Sequence, residues 1–213
     1  MDKFRIGTIG RVSKLSLGGG GIGQVWGRTT HKESVATVIE AIQEGINLLD
    51  VAPMYGQGEA ERVIGSAFNG KLPPETLVST KCLLRNPLNS QVPAILESSL
   101  NDSLARMKLE RTDIFFLHGY LTQAINPSTP SGTSRKLFIE IVRPSLEKLI
   151  TQGRIGAWGI TGIGEPDSVL KTLEEAPRPA VVQAISNILD SPGGLKFFDG
   201  PSKAREIIAT ANK

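Results

Sequence analysis

Residues 29–50 read TTHKESVATVIEAIQEGINLLD, and this stretch decides the fold. Thr30 and Glu33 stand three apart as a capping box, which predicts a helix start. Val35, Val38, Ile39 and Ile42 then repeat at helical spacing and form one apolar face. Gly45 stops the helix, and Ile46 to Asp50 is a short aliphatic run suited to a buried strand. With Leu15 to Leu17 ahead of it, the stretch is a strand-helix-strand unit of a parallel sheet.

The rest of the chain repeats the unit. A helix is predicted over about 58 to 69 and a strand over Thr76 to Lys81. A further helix turns Ile95, Leu96, Ser99, Leu100, Leu104 and Met107 inward, and Asp113 to His118 is the fourth strand. After a loop rich in Pro, Ser, Thr and Gly (Thr122 to Ser134), Ile139, Val142, Leu146 and Leu149 mark a helix closed by Gly153. Arg154 to Ile160 is the fifth strand, Pro166 starts the next helix, Ala180 to Ile185 is the sixth strand, and Lys203 to Lys213 is helical.

Six units point to an α/β fold, a (β/α)8 TIM barrel with six of its eight βα units present, in a single domain spanning residues 1–213. Such barrels usually need roughly 250 residues. The expectation is therefore a chain truncated after its sixth helix. An open sheet is the less favoured alternative, since strands this apolar on an unpaired edge are prone to aggregate. Phe4 to Ser13 is expected to form a small hairpin at the barrel's bottom.

The composition removes several function classes. The chain of 213 residues carries a net charge of +3, spread along the whole sequence rather than gathered into the basic stripe of a nucleic-acid surface. No apolar run is long enough for a membrane span or a secretory signal, so the expected location is cytoplasmic. Cys82 is the single cysteine, and His31 and His118 are the two histidines, so no metal site is expected. The sequon at Asn101 lies inside a helical pattern and carries no weight.

Gly18, Gly20 and Gly23 fit G-x-G-x-x-G, but that motif must open directly into a helix. Here Gln24 to Thr30 intervenes with Trp26 and Gly27, so a dinucleotide-binding Rossmann domain is not expected. The run reads as a flexible turn, or as a floor of small residues that a flat ligand can approach.

In a βα barrel, functional groups sit where strands end on the C-terminal face. Asp50, Lys81 and His118 end three adjacent predicted strands, and Tyr55 lies in the loop just past Asp50. Singly, each has an ordinary structural reading: Asp50 as a cap, Lys81 as a solvated strand end, His118 as a core histidine, Tyr55 as a rim aromatic. Together they suggest chemistry, because a lysine at a buried barrel mouth costs stability unless it is paired. An ammonium beside a phenol favours the phenolate, so Lys81 would make Tyr55 a better acid. Asp50 would hold Lys81 charged and aimed, and His118 would orient the oxygen being protonated. No side chain supplies hydride, so a reduction requires a nicotinamide cofactor.

The stretch Asn47-Leu48-Leu49-Asp50-Val51-Ala52-Pro53-Met54-Tyr55-Gly56, with Gly58-Glu59 and Ile64-Gly65, resembles the second-strand signature of the aldo-keto reductases. Val78-Ser79-Thr80-Lys81 and Asp113-Ile114-Phe115-Phe116-Leu117-His118 resemble the family's segments that carry its catalytic lysine and histidine. The resemblance implies NADPH, hydride transfer to an aldehyde or ketone, and Tyr55 as proton donor. It also implies that Gln183 holds the nicotinamide carboxamide, and that Gly19 and Gly20 form the glycine-rich edge of the cofactor site along with Asp50. Thr161-Gly162 stands where the family commonly has Ser-Asn, so Thr161 keeps one hydrogen bond and Gly162 keeps none.

The family's seventh-strand aromatic and its grip on the 2′-phosphate have no counterpart before Lys213, so weak NADPH binding or none is expected of this chain. NADPH over NADH rests on the resemblance alone. The expected partner is a small carbonyl substrate, of unnamed identity; oligomeric state is not legible. Two other readings stand beside the reductase: a non-catalytic nucleotide-binding auxiliary subunit of the same fold, and a Schiff-base aldolase using Lys81, which pairing with Asp50 disfavours. Trp26 and Trp158 are candidates for either pocket wall or core.

Overall fold

A computed structural model describes residues 1–85, 87–124, 132–191, 193–196 and 198–213. In chain order its elements are β1 (Lys3–Ile6), β2 (Gly10–Ser13), β3 (Leu17–Gly18), α1 (Gly19–Ile22), α2 (His31–Gln43), β4 (Leu48–Asp50), α3 (Glu59–Phe68), β5 (Leu77–Cys82), α4 (Val92–Met107) and β6 (Thr112–Leu117). Then come β7 (Tyr120–Thr122), β8 (Gly132–Ser134), α5 (Arg135–Leu137), a π-helical stretch over Phe138–Val142, α6 (Arg143–Thr151), β9 (Ile155–Thr161), β10 (Ile163–Gly164), α7 (Pro166–Glu174), β11 (Val181–Gln183) and α8 (Ala204–Ala211). The main sheet has six strands in the order β11-β9-β6-β5-β4-β3. Neighbours in the sheet are joined through helices, as the parallel βαβ reading requires.

The chain resolves into two compact units. The first comprises Met1–Cys82, Glu97–Phe115 and Leu149–Ala157. Within it β3, β4 and β5 pair in parallel, with Gly18 opposite Asp50 and Asp50 opposite Ser79. Leu49, Val78, Ser79 and Thr80 are sealed from solvent and Lys81 almost so, while Leu48, Asp50 and Leu77 are half-buried. The expected hairpin is present as β1 and β2. Asn47 ties it to the N-terminal ends of β4 and β5: its Oδ1 accepts from Ser13 N at 2.7 Å, and its Nδ2 donates to the carbonyls of Arg11 and Glu75, each at 2.9 Å.

The capping box at Thr30 forms as expected: Thr30 Oγ1 accepts from Glu33 N, and Glu33 Oε2 accepts from Thr30 N at 2.8 Å. The Thr30 backbone N–H, then its hydroxyl, hold the Glu33 carboxyl below its ordinary value. A depressed carboxylate stabilises the fold at neutral pH, and that share is lost as pH falls through the folded value. Thr30→Ala removes the N-cap hydroxyl and should cost on the order of 1 kcal/mol at pH 7. The deficit should shrink in acid; urea unfolding at pH 7 and pH 4 measures both. One expectation fails here: Ile39 is 37% exposed, and Ser34 with Val38 makes the buried contact of α2.

The second unit comprises Leu83–Leu96, Phe116–Lys148 and Trp158–Lys213. Here β9 and β11 pair in parallel, with Gln183 opposite Thr161. A small parallel sheet, β10-β7-β8, is built from segments that sequence patterning placed in loops. Residues 125–131 of the predicted Thr122 to Ser134 loop lie outside the described residues. Trp158 is core: its ring meets Phe138 edge-on at 5.9 Å and its indole N–H donates to Glu147 at 2.6 Å. Pro166 stands at the first turn of α7, as predicted. No helix among the described residues is long and apolar enough to cross a membrane.

Candidate active site

Side chains alternate across a strand, so Ser79 and Lys81 share one face of β5. The register sets Asp50 opposite Ser79, which brings all three together. Asp50 Oδ1 accepts from Lys81 Nζ at 2.9 Å and also, at short range, from the Ser79 hydroxyl. Lys81 Nζ donates again to the Val51 carbonyl at 2.9 Å. The Lys81 side chain is 1% exposed and that of Asp50 18%. An ammonium this deeply buried is tolerable only with a counter-charge and hydrogen bonds, and both are present.

Tyr55 joins this group. Lys81 Nζ lies 4.9 Å from the centroid of its half-buried ring. The loop carrying Tyr55 is held by Tyr55 N donating to Ala52 O and by Ala60 N, in α3, donating to Tyr55 O. Its other support is the glycine run, which forms the one-turn helix α1 rather than a flexible turn. Glycine is a poor helix former, and the reason it stands here is clearance. A Cβ on Gly19 would lie 2.9 Å from Tyr55 Cδ2 and 3.0 Å from Asp50 O, and one on Gly23 would lie 2.7 Å from Tyr55 O. Gly20 is covered by Trp26, whose own side chain is exposed.

Gly19→Ala should push the Tyr55 ring aside and cost roughly 1–3 kcal/mol of overpacking. Comparing the urea midpoints of the variant and parent checks this; equal midpoints would mean α1 yields freely.

In the second unit His118 follows β6 directly and is half-buried. Thr161 grips the backbone on both sides of it: its Oγ1 accepts from Gly119 N at 3.0 Å and lies within donating distance of Leu117 O and Gly119 O. Gln183 is half-buried at the end of β11, and its carbonyl accepts from Gly162 N at 2.8 Å. A side chain at Gly162 would meet Val182 Cγ2 at 2.8 Å.

Sequence reasoning passed over Ser79, and over Glu61, which is fully buried and bonded to Thr80 and Arg106. A signal for Glu61 existed: it sits on the stripe Glu61, Ile64, Gly65, Phe68, at core spacing on α3. Cys82, next to Lys81, is buried, and burial pushes its thiol up to about 11. A neutral, enclosed thiol is a poor nucleophile. A maleimide at pH 7 should label it only on unfolding, as intact mass would record.

Among the described residues no cluster of three or more His, Cys, Asp or Glu could hold a metal ion. Residues 14–212 match the Aldo/keto reductase family. L-galactose dehydrogenase of Arabidopsis thaliana is 28% identical over 191 residues, covering 87% of this chain and 56% of that protein. An NADH-specific methylglyoxal reductase of Escherichia coli is 28% identical over 210 residues, covering 89% and 60%. Among solved structures, a glycerol dehydrogenase from Gluconobacter oxydans superposes with a TM-score of 0.63 at 29% identity, covering 85% of this chain and 54% of that one. The chain thus spans a little over half the length of these relatives.

Proposed function

Given that the chain belongs to the aldo/keto reductase family, we propose that it carries the machinery for reducing an aldehyde or ketone to an alcohol, with Tyr55 as proton donor. One observation carries the reading: a lysine 1% exposed, held 2.9 Å from Asp50, with its ammonium 4.9 Å from the Tyr55 ring centroid. A buried cation so placed stabilises the negative charge that develops on the phenol oxygen as its proton leaves. Asp50 and the Val51 carbonyl accept hydrogen bonds from that ammonium and hold it in place. Pairing with Asp50 also makes Lys81 a poor amine nucleophile, which disfavours a Schiff-base mechanism. The reading gives His118 the task of hydrogen-bonding the substrate oxygen.

A reduced nicotinamide dinucleotide, when bound, supplies the hydride. The residues present fit it in part. The Gln183 amide offers both a donor and an acceptor to a carboxamide. The Thr161 hydroxyl is engaged by the Gly119 amide and a backbone carbonyl, which leaves one lone pair for a ligand. Gly162 offers no side-chain group. Gly19 and Gly20 owe their smallness to Tyr55 and Trp26, so only their backbone is proposed as a cofactor edge. NADPH is the proposed cofactor by family resemblance, with NADH the competing choice.

The test is cofactor-dependent turnover of an aromatic aldehyde, with NADPH and with NADH, by this chain and by a form extended to the length of its relatives. Turnover that needs the dinucleotide supports the reading. Dinucleotide binding without turnover in the longer form would point instead to an auxiliary subunit.

A further inference from the structure

Glu61 is fully buried on α3, and both of its carboxylate oxygens are engaged. Oε1 accepts from the Thr80 hydroxyl at 2.6 Å and Oε2 from Arg106 Nε at 2.5 Å. Arg106, on α4, also donates to Ser103 at 3.3 Å. Each of these contacts bears on the proposed site from behind. Thr80 immediately precedes Lys81, and because strand side chains alternate, fixing Thr80 on the helix side of β5 fixes Lys81 on the other. Arg106 lies directly on Gly58, where a Cβ would come within 2.6 Å of its Cδ. Gly58 is the left-handed residue, φ 83°, through which the Tyr55 loop enters α3. One buried carboxylate therefore braces both the strand that carries the lysine and the turn that follows the tyrosine.

We infer that Glu61 is a positioning residue: through Thr80 and Arg106 it holds Lys81 and the Tyr55 loop in the geometry that the proposed reduction needs. The inference rests on the proposed function for its purpose, but its geometric content is testable without turnover. Lys81 is almost fully enclosed, so its reaction with a small acylating reagent, followed by peptide mass spectrometry, reports release from Asp50 and Val51. The variants are Glu61→Gln, which removes the charge holding Arg106, and Thr80→Val, which exchanges the hydroxyl for a methyl group of similar size and tests the same link if the first does not fold. Val38→Ala, in the core contact of α2, is the control for general loosening, compared at equal distance below each melting temperature.

The expected result is at least tenfold faster acylation of Lys81 in Glu61→Gln, a smaller gain in Thr80→Val, and none in Val38→Ala. Should Lys81 stay as slow in Glu61→Gln and Thr80→Val as in the parent, or quicken equally in the control, the positioning role is overturned. Where a form of the protein turns over, Glu61→Gln should lower kcat and leave the dinucleotide KM unchanged. A parent that never turns over, with Lys81 released as expected, would sink the proposed function and leave the brace standing.

Discussion

Tyr55→Phe is expected to lower kcat for carbonyl reduction by about 10²–10⁴, the usual worth of a positioned general acid, and to leave dinucleotide affinity unchanged. The phenylalanine keeps the ring that fills the space against Gly19 and beside Lys81, so only the transferable proton is lost. An effect on kcat with unaltered binding is what removal of a group acting only in the transition state produces. Steady-state kinetics with an aromatic aldehyde, together with a dinucleotide titration, measure both quantities. If kcat fell by less than threefold, the proton would have to come from elsewhere.

The second large effect is on stability. Asp50→Ala leaves the Lys81 ammonium, 1% exposed, without its counter-charge, and breaking a buried pair from one side costs about 3–5 kcal/mol. Lys81→Met should cost less, because Asp50 is 18% exposed and keeps the Ser79 hydroxyl. The double variant Asp50→Ala, Lys81→Met removes both charges and should recover a large part of the loss, since apolar replacement of a whole buried pair is often close to neutral. Urea unfolding of the four proteins gives the coupling directly. Simple additivity of the two single losses would mean that the pair is not coupled as its 2.9 Å separation implies.

Much of this was legible in the amino acids, for identifiable reasons. The βα alternation, the Thr30 and Glu33 capping box, the stops at Gly45 and Gly153 and the start at Pro166 are local signals, and the structure honours them. Asp50 and Lys81 stand out at predicted strand ends and Tyr55 in the loop just past Asp50; the strand register brings Asp50 to Lys81, and the Tyr55 ring lies beside the Lys81 ammonium.

What escaped was set by long-range packing. A helical turn of three glycines contradicts intrinsic propensity and exists because α1 must approach Tyr55 and the Asp50 backbone closely. The β10-β7-β8 sheet is made of two- and three-residue strands too short to show a period. Ile39 fits the apolar stripe of α2 yet faces outward, because that helix meets its neighbours through Ser34 and Val38. Ser79 matters only through its pairing opposite Asp50, which no single-strand pattern reveals.

The most direct test of the central claim is the fate of the hydride. Reduced dinucleotide deuterated at the transferring position of the nicotinamide is incubated with an aromatic aldehyde and the protein, and the alcohol is analysed by mass spectrometry. A reductase acting through Tyr55 yields an alcohol with one deuterium on its carbinol carbon, and Tyr55→Phe suppresses its formation. Alcohol lacking that deuterium, or no alcohol from a form that binds the dinucleotide, would contradict the account.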